Sequence, residues 1–322
     1  MLKHRKGYAI RIPSQVPGLA VTKEEPFLVL EAKDEGAFLE VLSPITGFGA
    51  NAEHRQLIYR GQEDDWPLIP VSRRKSNWPS LFGITGPKDT LHWRLTAEAE
   101  TLLAFCQMAD YQGLRIPNLD RINDSILGFL TQLQSRIVNN WPPPEATPAL
   151  ALAQHNGIPT CLLDFTRNPF IASYFAVRAV FTGNQESKGD LCVWVIADPT
   201  YTSREGLASR VKVVIPPASD NHTLQRQEGL LAYSPLESET ADLQGEYCPD
   251  RPLEEVIAEQ SPKSLAQVRL KRSFAPMLLH QIIKLGYDSS RLFPTFDGVV
   301  RCLHEYEWAR MGPPRLWAGS FP

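Results

Sequence analysis

The chain has 322 residues, 43% of them hydrophobic and 21% charged, with a formal net charge of −3. That length admits one large domain or two small ones and a sizeable core, and the composition excludes a disordered chain. The slightly acidic balance excludes a general polyanion binder and leaves room only for a local basic groove.

Residues 1–25 read as an extended, proline-punctuated arm. The start is basic, but Arg11, Pro13 and Pro17 prevent an apolar signal core. No run reaches the ~20 apolar residues of a membrane helix. Cys106, Cys161, Cys192, Cys248 and Cys302 are odd in number and lack C-x-x-C spacing. That argues against a zinc site or a disulfide framework and for a reducing, cytoplasmic compartment.

Phe27 to Ala32 reads as a strand. Glu35 to Leu42 has helical spacing, with Phe38, Leu39 and Leu42 on one face. Gln56 to Tyr59 is a short apolar strand that Gly61 should break. Trp66-Pro67-Leu68-Ile69-Pro70 is extended, since proline disfavours helix in the residue before it. Leu95, Ala99, Leu102, Leu103 and Cys106 recur at helical spacing over Leu91 to Gln112, and Gly113 suits a C-cap. A second helix is predicted from Asp124 to Asn139, with Ile126, Phe129, Leu130, Leu133 and Ile137 inward. Trp141 and its three prolines break it, and a helix from Ala149 to His155 ends at Asn156-Gly157.

Pro169 to Val180 reads as a helix with proline in its first turn. Asp190 to Ile196 is the clearest strand and should be buried on both faces. Val211 to Pro217, Gln227 to Tyr233 and Ala266 to Leu270 are further strand candidates. Phe274 to Leu285 is a helix closed by Gly286, and a last helix lies between Leu292 and Tyr306. Glu305, Glu307 and Arg310 read as its solvated face. Strands and helices mixed in this way imply an α+β fold.

Two segments set polar residues into apolar runs in a way that a core does not need. The first is Leu57-Ile58-Tyr59-Arg60-Gly61-Gln62. The second runs from Gln154-His155 through Gly157, Pro159-Thr160 and Leu162-Leu163-Asp164-Phe165-Thr166 to Pro169, Ala172 and Tyr174-Phe175-Ala176. Both resemble the FRG domain, a bacterial and phage family named for a Phe/Tyr-Arg-Gly motif, here Tyr59-Arg60-Gly61. Trp66 to Pro70 and Leu292 to Gly298 resemble further family elements. A later Arg-x-x-x-Gln-x-Gly-x-Phe element is met in part by Gln225 to Leu231, with Leu231 in place of the aromatic residue. The resemblance covers roughly residues 35–305. It implies an extension over 1–34, an FRG-like domain over 35–306 with a helical insert at about 91–140, and a tail over 307–322.

The same order is similar to that of the ADP-ribosyltransferases. Those enzymes carry an Arg or His on a first strand, then a Ser/Thr strand end running into a helix, then a Gln/Glu-rich turn that supplies a carboxylate. Arg60, Thr166 with Ala172 and Phe175, and Gln227-Glu228 follow that order. The likeness implies a mixed, split β-sheet flanked by helices and NAD as substrate. It also implies ADP-ribose transfer or NAD hydrolysis in a toxin or phage-defence setting, with an antitoxin or defence-system partner and a protein or nucleic acid acceptor. A guanidinium suits a pyrophosphate. A carboxylate suits an oxocarbenium-like ribose. Tyr59, Arg60, Gly61, Gln62, His155, Asp164, Phe165, Thr166, Tyr174 and Phe175 are then the binding set, and Arg60, Thr166, Glu228 and Gln227 the catalytic set.

Alternatives stand beside these roles. Arg60 also suits a structural pair with Asp164, and Asp164 or Thr166 suits a helix cap. His155 also suits a helix end, and Tyr174 and Phe175 suit a core. If Gln227 and Glu228 lie in a strand they face opposite ways, so at most one lines a cleft. The other function class is a non-enzymatic module that recognises a phosphate-bearing ligand or nucleic acid. No Rossmann fingerprint, Walker A motif or paired acidic metal site occurs.

Overall fold

The computed structural model describes residues 10, 16–23, 26–51, 57–74, 90–135, 140–183, 188–198, 210–216, 225–236 and 251–310. In chain order its elements are β1 (Leu19–Lys23), β2 (Leu28–Ala32), α1 (Glu35–Leu42), β3 (Leu57–Gln62), α2 (Leu91–Tyr111), α3 (Leu119–Gln134) and α4 (Thr147–His155). Next come β4 (Leu163–Thr166), α5 (Pro169–Thr182), β5 (Leu191–Ala197), β6 (Lys212–Val214) and β7 (Gly229–Tyr233). The last are α6 (Leu253–Gln260), β8 (Leu265–Leu270), α7 (Ala275–Lys284), α8 (Ser289–Leu292) and α9 (Phe296–Arg310).

The fold is α+β. One mixed sheet runs β1-β2-β8-β5-β3-β4-β7-β6, flanked by helices. Among the described strands only β2 and β8 pair in parallel. Its centre is β5, buried along its whole length, as its unbroken apolar run requires. Alternation along the strands sends residues to two faces. Leu57 and Tyr59 join a core with α1, α5, α7 and α9. Ile58, Trp194, Phe165 and Leu230 join another, closed by Leu253, Val256 and Ile257 of α6. A third core, built by α2, α3 and α4, meets the sheet at Leu231 and Tyr233 of β7.

Helices α1, α2, α5 and α7 lie close to where periodicity and capping residues put them, Asp34 and Asn168 supplying side-chain N-caps to α1 and α5. Helix α3 begins earlier than expected, at Leu119, because Asn118 takes a left-handed turn (φ 59°) and Asp120 favours the first turn. The expected end of that helix, Ile137 included, lies outside the described residues, as do Gln56, Cys248 and residues 311–322 of the tail. The β6 strand is shorter than Val211–Pro217. Helix α6 answers to no sequence expectation, although Pro252 followed by Glu254 and Glu255 is a helix-start signal.

Two expectations are overturned here. Gly61 does not break β3, which continues in register to Gln62 opposite Cys192. The glycine is needed because α5 crosses there. A Cβ at residue 61 would overlap the Ala172 carbonyl and come within 2.8 Å of the Ala176 nitrogen. Gly61→Ala should therefore force α5 off the sheet and destabilise the protein by about 1–3 kcal/mol, read as a lower urea midpoint. An unchanged midpoint would remove the close-approach reading. The second overturned expectation concerns α9: Glu305 is fully buried, not solvated.

Candidate functional site

Register sets which side chains can meet. In the β3–β4 pair only Tyr59 and Thr166 are in register, and the strands part beyond them. Arg60 bridges the split. Its Nη1 donates to the Asp164 carbonyl at 2.8 Å and lies 4.0 Å from the Asp164 carboxylate. The Arg60 side chain is only 16% exposed. Its Nε is buried and has no hydrogen-bond partner among the described residues. Burial pushes the Arg60 pKa down, with the Asp164 carboxylate opposing that shift and the nearby Arg74 guanidinium adding to it.

Asp164 is in turn fixed from α4. Gln154 Nε2 donates to its carboxylate at 2.7 Å, and the Thr160 hydroxyl donates to the Gln154 carbonyl oxygen. Thr160 also accepts the Leu162 N–H at 3.2 Å, which turns the chain into β4. The signature residues Gln154, Thr160 and Asp164 thus converge on Arg60, although 94 positions separate Arg60 from Gln154. His155 is exposed at the end of α4.

The other predicted residues gather at the opposite end of β4. Thr166 pairs with Tyr59 and so shares its face, whereas Arg60 points to the other face. The Thr166 hydroxyl donates to the Gln227 carbonyl at 2.7 Å and accepts the Asn168 N–H at 3.1 Å. The cap of α5 is Asn168, not Asp164 or Thr166. Its Oδ1 accepts from Phe170 and Ile171. Gln227 and Glu228 lie in the turn before β7 rather than in the strand, so the opposite-faces argument does not apply. Glu228 is exposed and left-handed (φ 47°). Its carbonyl accepts the Arg167 N–H at 3.1 Å. Its carboxylate accepts from Asn168 Nδ2 at 3.0 Å. The same Nδ2 lies 2.9 Å from the Tyr287 hydroxyl, and the Tyr287 ring lies 6.1 Å from that of Phe170.

Two clusters therefore line β4, one at Arg60–Asp164 and one at Thr166–Glu228. Asp164 and Arg167 are three residues apart, about 10 Å at ~3.3 Å per residue. Most of the remaining predicted residues serve the core. Tyr59, Phe165 and Tyr174 are buried, and Gln62 accepts the Trp194 indole N–H at 2.8 Å. Phe175 is partly buried, edge-on to Phe293. Sequence reasoning missed Arg74, Asn168, Phe170 and Tyr287, and gave Gln154 and Thr160 no role. Only Gln154 and Thr160 had a legible signal, as polar residues inside the signature.

Among the described residues no group of three His, Cys, Asp or Glu side chains is placed to hold a metal ion. None of the described helices is long and apolar enough to cross a membrane. Residues 55–185 match the family model of the FRG domain. That stretch holds the Arg60 cluster and Thr166 and stops short of Glu228. No curated protein and no solved structure matches the chain.

Proposed function

We propose that this chain, whose residues 55–185 match the FRG domain family, binds NAD and cleaves its nicotinamide–ribose bond, passing ADP-ribose to an acceptor or to water. The observation that carries this reading is adjacency. The strands bearing Arg60, Thr166 and the Gln227-Glu228 turn are neighbours, β3-β4-β7, with Thr166 opposite Gly229. The ADP-ribosyltransferase-like order seen along the sequence thus becomes an order across the sheet. The Glu228 backbone supports the same reading. A left-handed non-glycine residue costs about 1–2 kcal/mol, and such strain collects at functional sites.

The residues present fit this substrate. Arg60 Nε has no acceptor among the described residues, and a guanidinium suits a pyrophosphate. Glu228 offers an exposed carboxylate aimed by Asn168, with the Phe170 and Tyr287 rings alongside. In the cleavage, the bond from ribose C1′ to nicotinamide breaks and its electron pair leaves with the nicotinamide nitrogen. Positive charge then develops on the ribose, where a preorganised carboxylate is most stabilising. The acceptor nucleophile or water closes C1′ and loses its proton.

A second function class, ligand recognition without chemistry, is favoured by one observation: the Gln154–Asp164–Arg60 network is complete without Glu228. Purified protein incubated with NAD separates the two. Release of nicotinamide is expected, with a loss of about tenfold or more in Arg60→Lys at an unchanged melting temperature, because a point charge cannot reproduce the planar fork. NAD binding without nicotinamide release would leave recognition alone. A lysine variant that melts far lower would make Arg60 a structural residue.

A further inference from the structure

The stretch from Leu68 to Arg74 is fixed to the protein at both ends. Leu68 is fully buried, its N–H donating to Glu254 at 2.9 Å and its carbonyl accepting from Leu253 at 3.0 Å. Four residues on, the Ser72 hydroxyl and Arg73 Nε donate to Glu98 of α2 at 2.6 and 3.3 Å, and Trp141 Nε1 adds a third donor at 2.6 Å. Arg94 Nη1 holds the Arg73 carbonyl at 3.0 Å, and the Ser72 N–H reaches the Thr160 carbonyl at 3.4 Å. A buried carboxylate needs such donors, and together they fix the turn.

What this anchoring presents is Arg74. Its Nε donates to the Ile69 carbonyl at 3.0 Å, and its two terminal nitrogens have no acceptor among the described residues. Its turn lies against the Arg60 network: Leu68 shares a core with Ile58, two residues before Arg60, and the Ser72 N–H meets Thr160, whose hydroxyl holds Gln154 against Asp164 and so against Arg60. Repulsion from Arg74 lowers the Arg60 pKa further. Arg60 engages Asp164 through Nη1, and its buried Nε has no hydrogen-bond partner among the described residues. Two guanidinium groups largely withdrawn from water, each with an unused donor, are unfavourable neighbours in the absence of a shared anion. The one carboxylate at hand, Asp164, is largely exposed and already accepts from Gln154. The planar fork matches phosphoryl oxygens.

We propose that Arg60 and Arg74 form a two-guanidinium clamp for a pyrophosphate group, with the helical insert holding Arg74 in place through Glu98. The assignment of that pyrophosphate to NAD rests on the function proposed above; the clamp itself does not.

The test is isothermal titration with ADP-ribose and with inorganic pyrophosphate. Arg74→Met keeps the apolar stem and removes the fork. It should weaken both ligands about ten- to a hundredfold, the scale of one or two charge-assisted hydrogen bonds, without lowering the melting temperature. Arg74→Lys should fall between the two, since it keeps charge and loses the fork. If Arg74→Met melts lower, the lysine variant carries the test alone. Wild-type affinity for ADP-ribose in either variant with unchanged folding would overturn the clamp, even if nicotinamide release were intact. Arg74-dependent binding in a protein that releases no nicotinamide would uphold the clamp and end the cleavage reading.

Discussion

Replacing Glu305 by alanine should lower stability by about 3–5 kcal/mol, the cost of removing one partner of a buried ion pair. The carboxylate is fully buried. It accepts the Tyr174 hydroxyl at 2.7 Å and the Ser289 N–H at 2.9 Å, and pairs with Arg178 Nε at 3.4 Å. Truncation leaves the Ser289 N–H without its acceptor, Arg178 without its ion-pair partner and Tyr174 with the Ser289 hydroxyl alone, and opens a void between α5, α8 and α9. Glu305→Gln preserves the shape but sets an amide donor against one of those donors, so an intermediate loss is expected. The measurement is the urea midpoint at constant m-value. A midpoint within experimental error of wild type in Glu305→Ala would show that the network contributes nothing to stability.

The same network makes a statement about pH. Burial, with the Glu305 carboxylate adding to it, pushes the Tyr174 phenol well above its ordinary value. A phenol whose folded pKa is raised contributes stability that is fully present below the unfolded value of about 10 and is lost as pH rises beyond it. Alkaline unfolding beginning above pH ~10, and weakened in Tyr174→Phe, is the expected result.

Glu305 also shows where sequence reading stops. Its helix carries Glu305, Glu307 and Arg310 on the chain as a polar stretch, and nothing local distinguishes the buried one. Its burial comes from Tyr174 and Ser289, which are 131 and 16 positions away. Gly61 has the same character: a glycine after an apolar run signals a break, and only the crossing of α5 turns it into a close approach. Elements governed by local rules were legible. Helices α1 and α5 followed from periodicity and flanking residues, and β5 from an apolar run too short for a helix. The site was legible in part. Arg60 and Asp164 were expected to meet and do. The opposed facing of Arg60 and Thr166 depends on β3–β4 register, which no single segment encodes. Arg74 follows an ordinary extended stretch, and its place beside Arg60 is set by Glu98, Leu253 and Glu254 from distant helices.

Glu228→Gln is the sharpest test of chemistry. If the carboxylate acts on the developing ribose cation, turnover should fall ~10²–10³-fold, the loss of one preorganised electrostatic contact of ~3–4 kcal/mol. NAD affinity should change little, because the charge it answers exists only in the transition state. The substitution suits the site, since glutamine occupies the left-handed turn no worse than glutamate and keeps an oxygen for Asn168 Nδ2. A large effect would therefore report charge and not folding, and an unchanged melting temperature checks this. Gln227→Ala is the paired control. Thr166 uses the Gln227 carbonyl, which every residue has, so losing the side chain should leave turnover near wild type. The reverse pattern, a severe Gln227→Ala beside a neutral Glu228→Gln, would make the glutamine side chain the working group and eliminate a mechanism built on carboxylate charge. If both variants release nicotinamide as wild type does, neither residue stabilises the transition state, and the left-handed turn at Glu228 serves only to lead the chain into β7.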